Sequence, residues 1–235
     1  FIYKENINAL YFNSRIAHYK FVLEAGLRIE NTNIKGQLPG NRLQADSSFS
    51  KSYINLFPSV TLSYQAGKNH TLNLSYRRRI DRPNYQDMNP FVYIFDTYTY
   101  EQGNTTLQPQ FSDNLELSYL LANNYKVAVF YNQTNDVIAK SFILSENSKR
   151  VYVMPKNLAT YKSYGVRLSA GNLSPVKYMQ STASIGLTHN QYEWNLIQDA
   201  NKTAQTTLMF HIGNRFLLGK GWLAELTGYY NGRMA

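Results

Sequence analysis

The chain has 235 residues, 43% of them apolar and only 17% charged, with 20 Tyr and no Cys; the missing Cys excludes disulfide frameworks, thiolate zinc sites and cysteine nucleophiles together. No apolar run approaches the roughly 20 residues of a spanning helix, and the mean hydropathy is negative, yet a barrel that is apolar only at alternate positions reads the same way. A formal charge of +9 admits anionic lipid or an acidic ligand, whereas the scatter of Lys and Arg outside Arg77-Arg78-Arg79 argues against nucleic acid.

In chain order, period-two alternation predicts strands over residues 4–18 and 20–35, the second carrying Phe21, Leu23, Ala25, Leu27 and Ile29 on one side. Strands follow over 51–65 (Val60, Leu62, Tyr64) and 70–81 (Leu72, Leu74, Tyr76). After a long loop come 110–121 (Leu115, Leu117, Tyr119), 125–143 and 149–171 (Tyr164, Val166, Leu168, Ala170). The last three are 177–192, 203–217 (Leu208, Phe210, Ile212) and 221–231. A helical period fits none of them. Many exceed both the usual mode of about 5–6 residues and the roughly 9–11 that cross a bilayer.

Connections sort into two alternating sets. Tyr19-Lys20, 66–69, Asn123-Asn124, 172–175 and 219–221 are short; 36–50, 82–109, 144–148 and 193–202 are mostly longer. Short turns on one side and long loops on the other are the habit of outer-membrane barrels, the short turns being periplasmic. The expected fold is therefore all-β: an antiparallel up-and-down transmembrane β-barrel with about ten long strands. Tyr19, Tyr125, Tyr178 and Trp222 beside the short turns, with Tyr64 and Tyr76 at strand ends, fit aromatic girdles. The plainer reading is that Tyr simply favours strands.

Alternation places Arg78 on the lipid-facing stripe, at the level of lipid headgroups, where a charge costs only about 0–1 kcal/mol. Arg77, Arg79 and Arg82 fall to the lumen or its vestibule, suited to an anionic ligand. The alternative is that these charges anchor the loop and stay solvated. Loop 82–109 offers Tyr85, Asn89, Tyr93, Tyr98 and Tyr100 for stacking and adaptable hydrogen bonds to a carbohydrate, siderophore or peptide. It can equally be a packed loop that shields the mouth. His18, His70, His189 and His211 show no metal-ligand spacing, and Asp81, Asp87, Asp96 and Glu101 lack that of an EF-hand. With no P-loop, dinucleotide fingerprint or nucleophile elbow, no catalytic residue, metal or cofactor is expected.

The stretch Arg79-Ile80-Asp81-Arg82-Pro83-Asn84-Tyr85-Gln86-Asp87-Met88-Asn89-Pro90-Phe91, followed by Gly103-Asn104-Thr105-Thr106-Leu107-Gln108-Pro109, resembles the C-terminal barrel region of TonB-dependent receptors. The likeness is to the outer-membrane β-barrel branch common in Bacteroidetes, and Asn114, Leu115, Glu116, Leu117 and Tyr119 continue it. Two departures stand out: Thr105 where that family often has Pro, and Gln110 where it often has an acidic residue. The resemblance implies the bacterial outer membrane, a barrel of about 22 strands with an N-terminal plug, and import of a scarce ligand energised by TonB through that plug. At the spacing seen here such a barrel needs roughly 520 residues, so the chain reads as an internal segment without plug or remaining strands. Two rival readings are a complete ten-stranded barrel enzyme of protease or lipase type, for which His189, Asp136 and Asp81 form no ordered motif, and a soluble sandwich, which the strand lengths disfavour.

Overall fold

A chain that is apolar at every second position buries or solvates one whole face of each strand, and neighbouring strands must agree in register. The computed structural model describes residues 1–40, 46–144, 150–195 and 200–234. The long strands are β1 (Ile2–His18), β2 (Phe21–Leu38), β3 (Ser47–Gly67) and β4 (His70–Asp81). After the long loop come β7 (Gln110–Leu121), β8 (Tyr125–Leu144), β9 (Val151–Leu173), β10 (Met179–Asn195), β11 (Ala200–Gly219) and β12 (Trp222–Met234). They pair in the order β1-β2-β3-β4-β7-β8-β9-β10-β11-β12, each pair antiparallel. The sheet is open, β1 and β12 each pairing on one side.

All ten expected long strands are present. Two further short ones, β5 (Val92–Ile94) and β6 (Thr99–Gln102), form a hairpin within the long loop. Three or four residues are too few to show a period, which is why alternation missed them. The turn expected at 172–175 falls later, because β9 runs to Leu173 and β10 starts at Met179. The stretches 41–45, 145–149 and 196–199 of the other three long loops lie outside the described residues.

Register aligns one aliphatic row across nine strands: Ile16, Leu23, Leu62, Leu74, Leu117, Val129, Val166, Leu187 and Leu208. Among the described residues nothing covers it; Leu74 is 44% exposed, Leu117 46% and Val129 52%. The next residues along the strands, on the opposite face, are Ser63, Asn73, Ser118, Ala128, Arg167 and Gly186. An oily outer face and a polar inner face are what a lipid-embedded barrel wall requires.

Rows carrying tyrosines flank the aliphatic one. Phe21, Tyr64, Tyr119, Phe210 and Tyr230 lie on the short-turn side; Tyr76, Tyr131 and Tyr164 lie on the long-loop side. On β1–β3 apolar rows continue further toward the long loops, with Phe12-Leu27-Pro58 and Leu10-Ile29-Leu56. That stagger is expected when tilted strands carry a band level with a membrane.

The short turns are joined sideways. Gln65 N donates to Lys20 O, Ala122 N to Asn69 O, Gly171 N to Asn124 O and Leu217 N to Tyr178 O, each at 2.7 Å. At the other end Ile34, Met88 and Leu107 form a small core on the inner face, flanked by Tyr3, Phe49, Tyr53 and Ile138. The long loop therefore folds inward against the wall.

Candidate functional site

The loop begins at Arg82, one residue beyond β4. Its Nη2 donates to Glu30 Oε2 at 2.5 Å and to Thr32 Oγ1 at 3.1 Å, and its Nε lies 3.8 Å from Glu5. Arg28 Nε sits 3.0 Å from the other Glu30 oxygen. Glu30 is 5% exposed and Thr32 wholly buried, and two guanidinium groups pair the buried carboxylate. Burial works against the Arg82 charge, but Glu30 and the Tyr53 hydroxyl offset it and hold its pKa above the ordinary value. These contacts tie the first residue of the loop to the inner face of β1 and β2. Glu5 and Glu30 lie more than 50 residues upstream, and no local pattern marks them.

The resembling motif halves meet each other. Gly103 N donates to Asn89 O at 3.0 Å and Asn104 N to Asp87 O at 2.6 Å. A Cβ on Gly103 would stand 2.7 Å from both Asn89 N and Asp87 O and closer still to Asn89 O, so only glycine lets the two segments approach. The Asn104 side chain receives Thr106 N at 2.9 Å and donates to Pro155 O at 3.0 Å. Gln110 donates to Asp81 at 2.9 Å while accepting Ile138 N at 2.8 Å. A carboxylate there could do only the second, which accounts for that departure from the family pattern. Asn157, which the sequence reading did not single out, accepts Gln108 N and donates back to Gln108 O, both at 2.9 Å.

Beyond this clasp the β5–β6 hairpin stands out from the wall. Asp96 turns it, accepting the amides of Tyr98 and Thr99 at 2.7 Å each; these bonds hold its carboxyl below the usual range. β6 then pairs in parallel with β9, Thr99 to Val151 and Glu101 to Val153, where β9 extends past β10. Between hairpin and clasp lies a cavity of about 520 Å³ lined by Gln86, Asn89, Tyr93, Phe95, Glu101 and Lys140 among others. Of the loop residues singled out in the sequence, Asn89 and Tyr93 come together there; Tyr85 and Tyr98 are exposed on the same loop and do not line it.

Arg77 and Arg79 point to the inner face below the loop, in register with Ser59 or Asn114 and with Ser112. The β3–β4 ladder ends at Ser59 and Arg77. A depression of about 330 Å³ at that point is lined by Tyr11, Arg28, Phe57 and Arg77–Arg79, and an adjoining one of about 370 Å³ by Asn13, Arg15, Glu24, Ser59 and Arg77. Arg28 lies over the Phe57 ring at 4.7 Å. Among the described residues no carboxylate pairs with Arg77 or Arg79. Arg78 points outward, over the Phe111 ring at 5.2 Å.

Solved structures share this architecture. The siderophore receptor PirA from Pseudomonas aeruginosa aligns with a TM-score of 0.56 at 12% identity, over 95% of this chain and 52% of its own. The FrpB iron transporter from Neisseria meningitidis aligns at 0.57 and 14%, over 91% and 33%. The copper transporter OprC aligns at 0.55 and 10%, over 96% and 41%. At such identities the likeness is one of fold, and the chain spans about a third to a half of the length of these structures. No curated protein sequence matches. The outer-membrane β-barrel family model matches residues 1–235, the same span whose outer face is oily and whose loops sort by length: the chain belongs to the outer membrane protein beta-barrel family of the bacterial outer membrane.

Proposed function

We propose that this chain is a wall segment of a TonB-dependent outer-membrane receptor, a larger plugged barrel that captures a scarce ligand outside and imports it. The observation that carries the reading is the long loop: clasped to the inner wall at its base, it holds a polar-and-aromatic cavity above arginines that have no acidic partner among the described residues. A loop that only shielded the mouth would need neither. Asn89 and Tyr93 in the cavity, with Tyr85 and Tyr98 on the exposed loop surface, make first contact, and Arg77 and Arg79 receive an anionic portion further in. Arg82 holds the loop in place. Coupling to TonB belongs to a plug outside this chain. The roles named for PirA (siderophore receptor), FrpB (iron transporter) and OprC (copper transporter) support a receptor or transporter over an enzyme.

Outer-membrane fractions, separated with and without heating and probed with an antibody to this segment, test the larger-barrel reading. A heat-shifting band far above 27.1 kDa is expected; a folded band near that mass would overturn it. In the protein as isolated, Arg77→Gln with Arg79→Gln is expected to weaken capture of the imported anion by about ten-fold or more, as loss of charge-assisted hydrogen bonds does. Unchanged uptake would remove these arginines from the path.

A further inference from the structure

The outward face changes character one step beyond the upper tyrosine row. Arg78, Asp113, Gln133, Lys162 and Gln191 stand there in register across five strands, on the same side as Leu74, Leu117 and Val129. These side chains meet the membrane surface rather than the lumen. The neutral side chains around them donate to acceptors in or beside the row: the Tyr76 hydroxyl to Asp113 at 2.7 Å, that of Tyr131 to Gln133 at 2.8 Å, and Gln191 to Glu193 at 2.9 Å. The cations are in surplus. Lys162 and Lys202 share the single Glu193 carboxylate, at 3.0 and 3.3 Å. Arg78 rests on Phe111, and the carboxylate opposite it, Asp113, is already engaged by Tyr76. Three strand spacings, roughly 14 Å, separate Arg78 from Lys162.

An outward charge is tolerated at the interface and not at mid-membrane, so this row lies at headgroup level on the long-loop side, the outer leaflet. Arg and Lys set there are suited to phosphate oxygens, Arg through its planar fork and Lys as a compact charge. We propose that this outward row binds the phosphates of the anionic glycolipid of the outer leaflet. Arg78 takes one phosphate and the Lys162–Glu193–Lys202 group a second, while Tyr76, Tyr131 and Tyr164 meet the boundary between sugar and acyl chains. The inference rests on the outer-membrane location and not on any imported ligand.

Glycolipid that co-purifies with the protein from outer membranes, measured per barrel by its hydroxy fatty acids, tests the proposal. The combined variant Arg78→Gln, Lys162→Gln, Lys202→Gln is expected to retain at least about ten-fold less, since each surface cation adds to anionic-lipid attraction, with its heat-shifted band unchanged. Dephosphorylated glycolipid is expected to bind the unaltered protein equally weakly, and millimolar inorganic phosphate to displace nothing. Where the combined variant loses its folded band, Lys162→Gln alone is read, with a smaller loss expected. Undiminished glycolipid in the folded variant, equal binding of the dephosphorylated lipid, or displacement by inorganic phosphate would each overturn the proposal.

Discussion

Arg82 and Gly103 show how single residues set the loop. Arg82→Ala leaves the buried Glu30 with Arg28 as its one remaining cation and takes the cation from Glu5, a loss below the roughly 3–5 kcal/mol of a fully unpaired buried carboxylate. The loop is expected to detach, seen as new protease cuts between residues 82 and 109 in folded, heat-shifting protein. A variant that also carries Glu30→Gln is expected to recover part of that loss, because the buried half-paired charge goes with it and Arg28 is open to solvent. Gly103→Ala forces a methyl group against Asn89 and Asp87, an overpacking of roughly 1–3 kcal/mol, and is expected to open the same segment. Neither change touches the lipid-facing rows, so barrel folding should survive both.

The β5–β6 hairpin has its own pH dependence. The Asp96 carboxyl is held below its ordinary value of 3.8 by the amides of Tyr98 and Thr99. A depressed folded pKa means that the turn's stabilisation is fully present above about pH 4 and is lost as pH falls through the lowered value. Cleavage of the hairpin by an acid protease is expected to rise steeply below that point, and Asp96→Asn to remove the step. The hairpin also marks the limit of what sequence could reveal. Alternation made the ten long strands, their faces and the sorting of the loops legible, because each residue's side follows from its neighbours two positions away. The inward packing of loop 82–109 was not legible. Glu5, Glu30 and Asn157 hold it from strands that meet it only after the sheet is assembled. Asp87, Asn89, Gly103 and Asn104 belong to the stretch that carries the family resemblance, and they build the loop's own backbone clasp, with Asn89 also lining the cavity. The motif therefore identifies a way of folding a loop more than a ligand.

Across the whole wall, one face is committed to lipid. Leu117→Arg, in the aliphatic row, is expected to cost about 2–4 kcal/mol near the bilayer midplane, read as reduced folding yield into vesicles. Asn73→Arg, one row away on the inner face, is expected to fold normally. The sideways bonds between short turns carry a mechanical consequence. Because Lys20, Asn69, Asn124 and Tyr178 each hand a carbonyl to the strand beyond the next hairpin partner, the periplasmic margin behaves like a laced hem. A pull on any one turn is shared along the row.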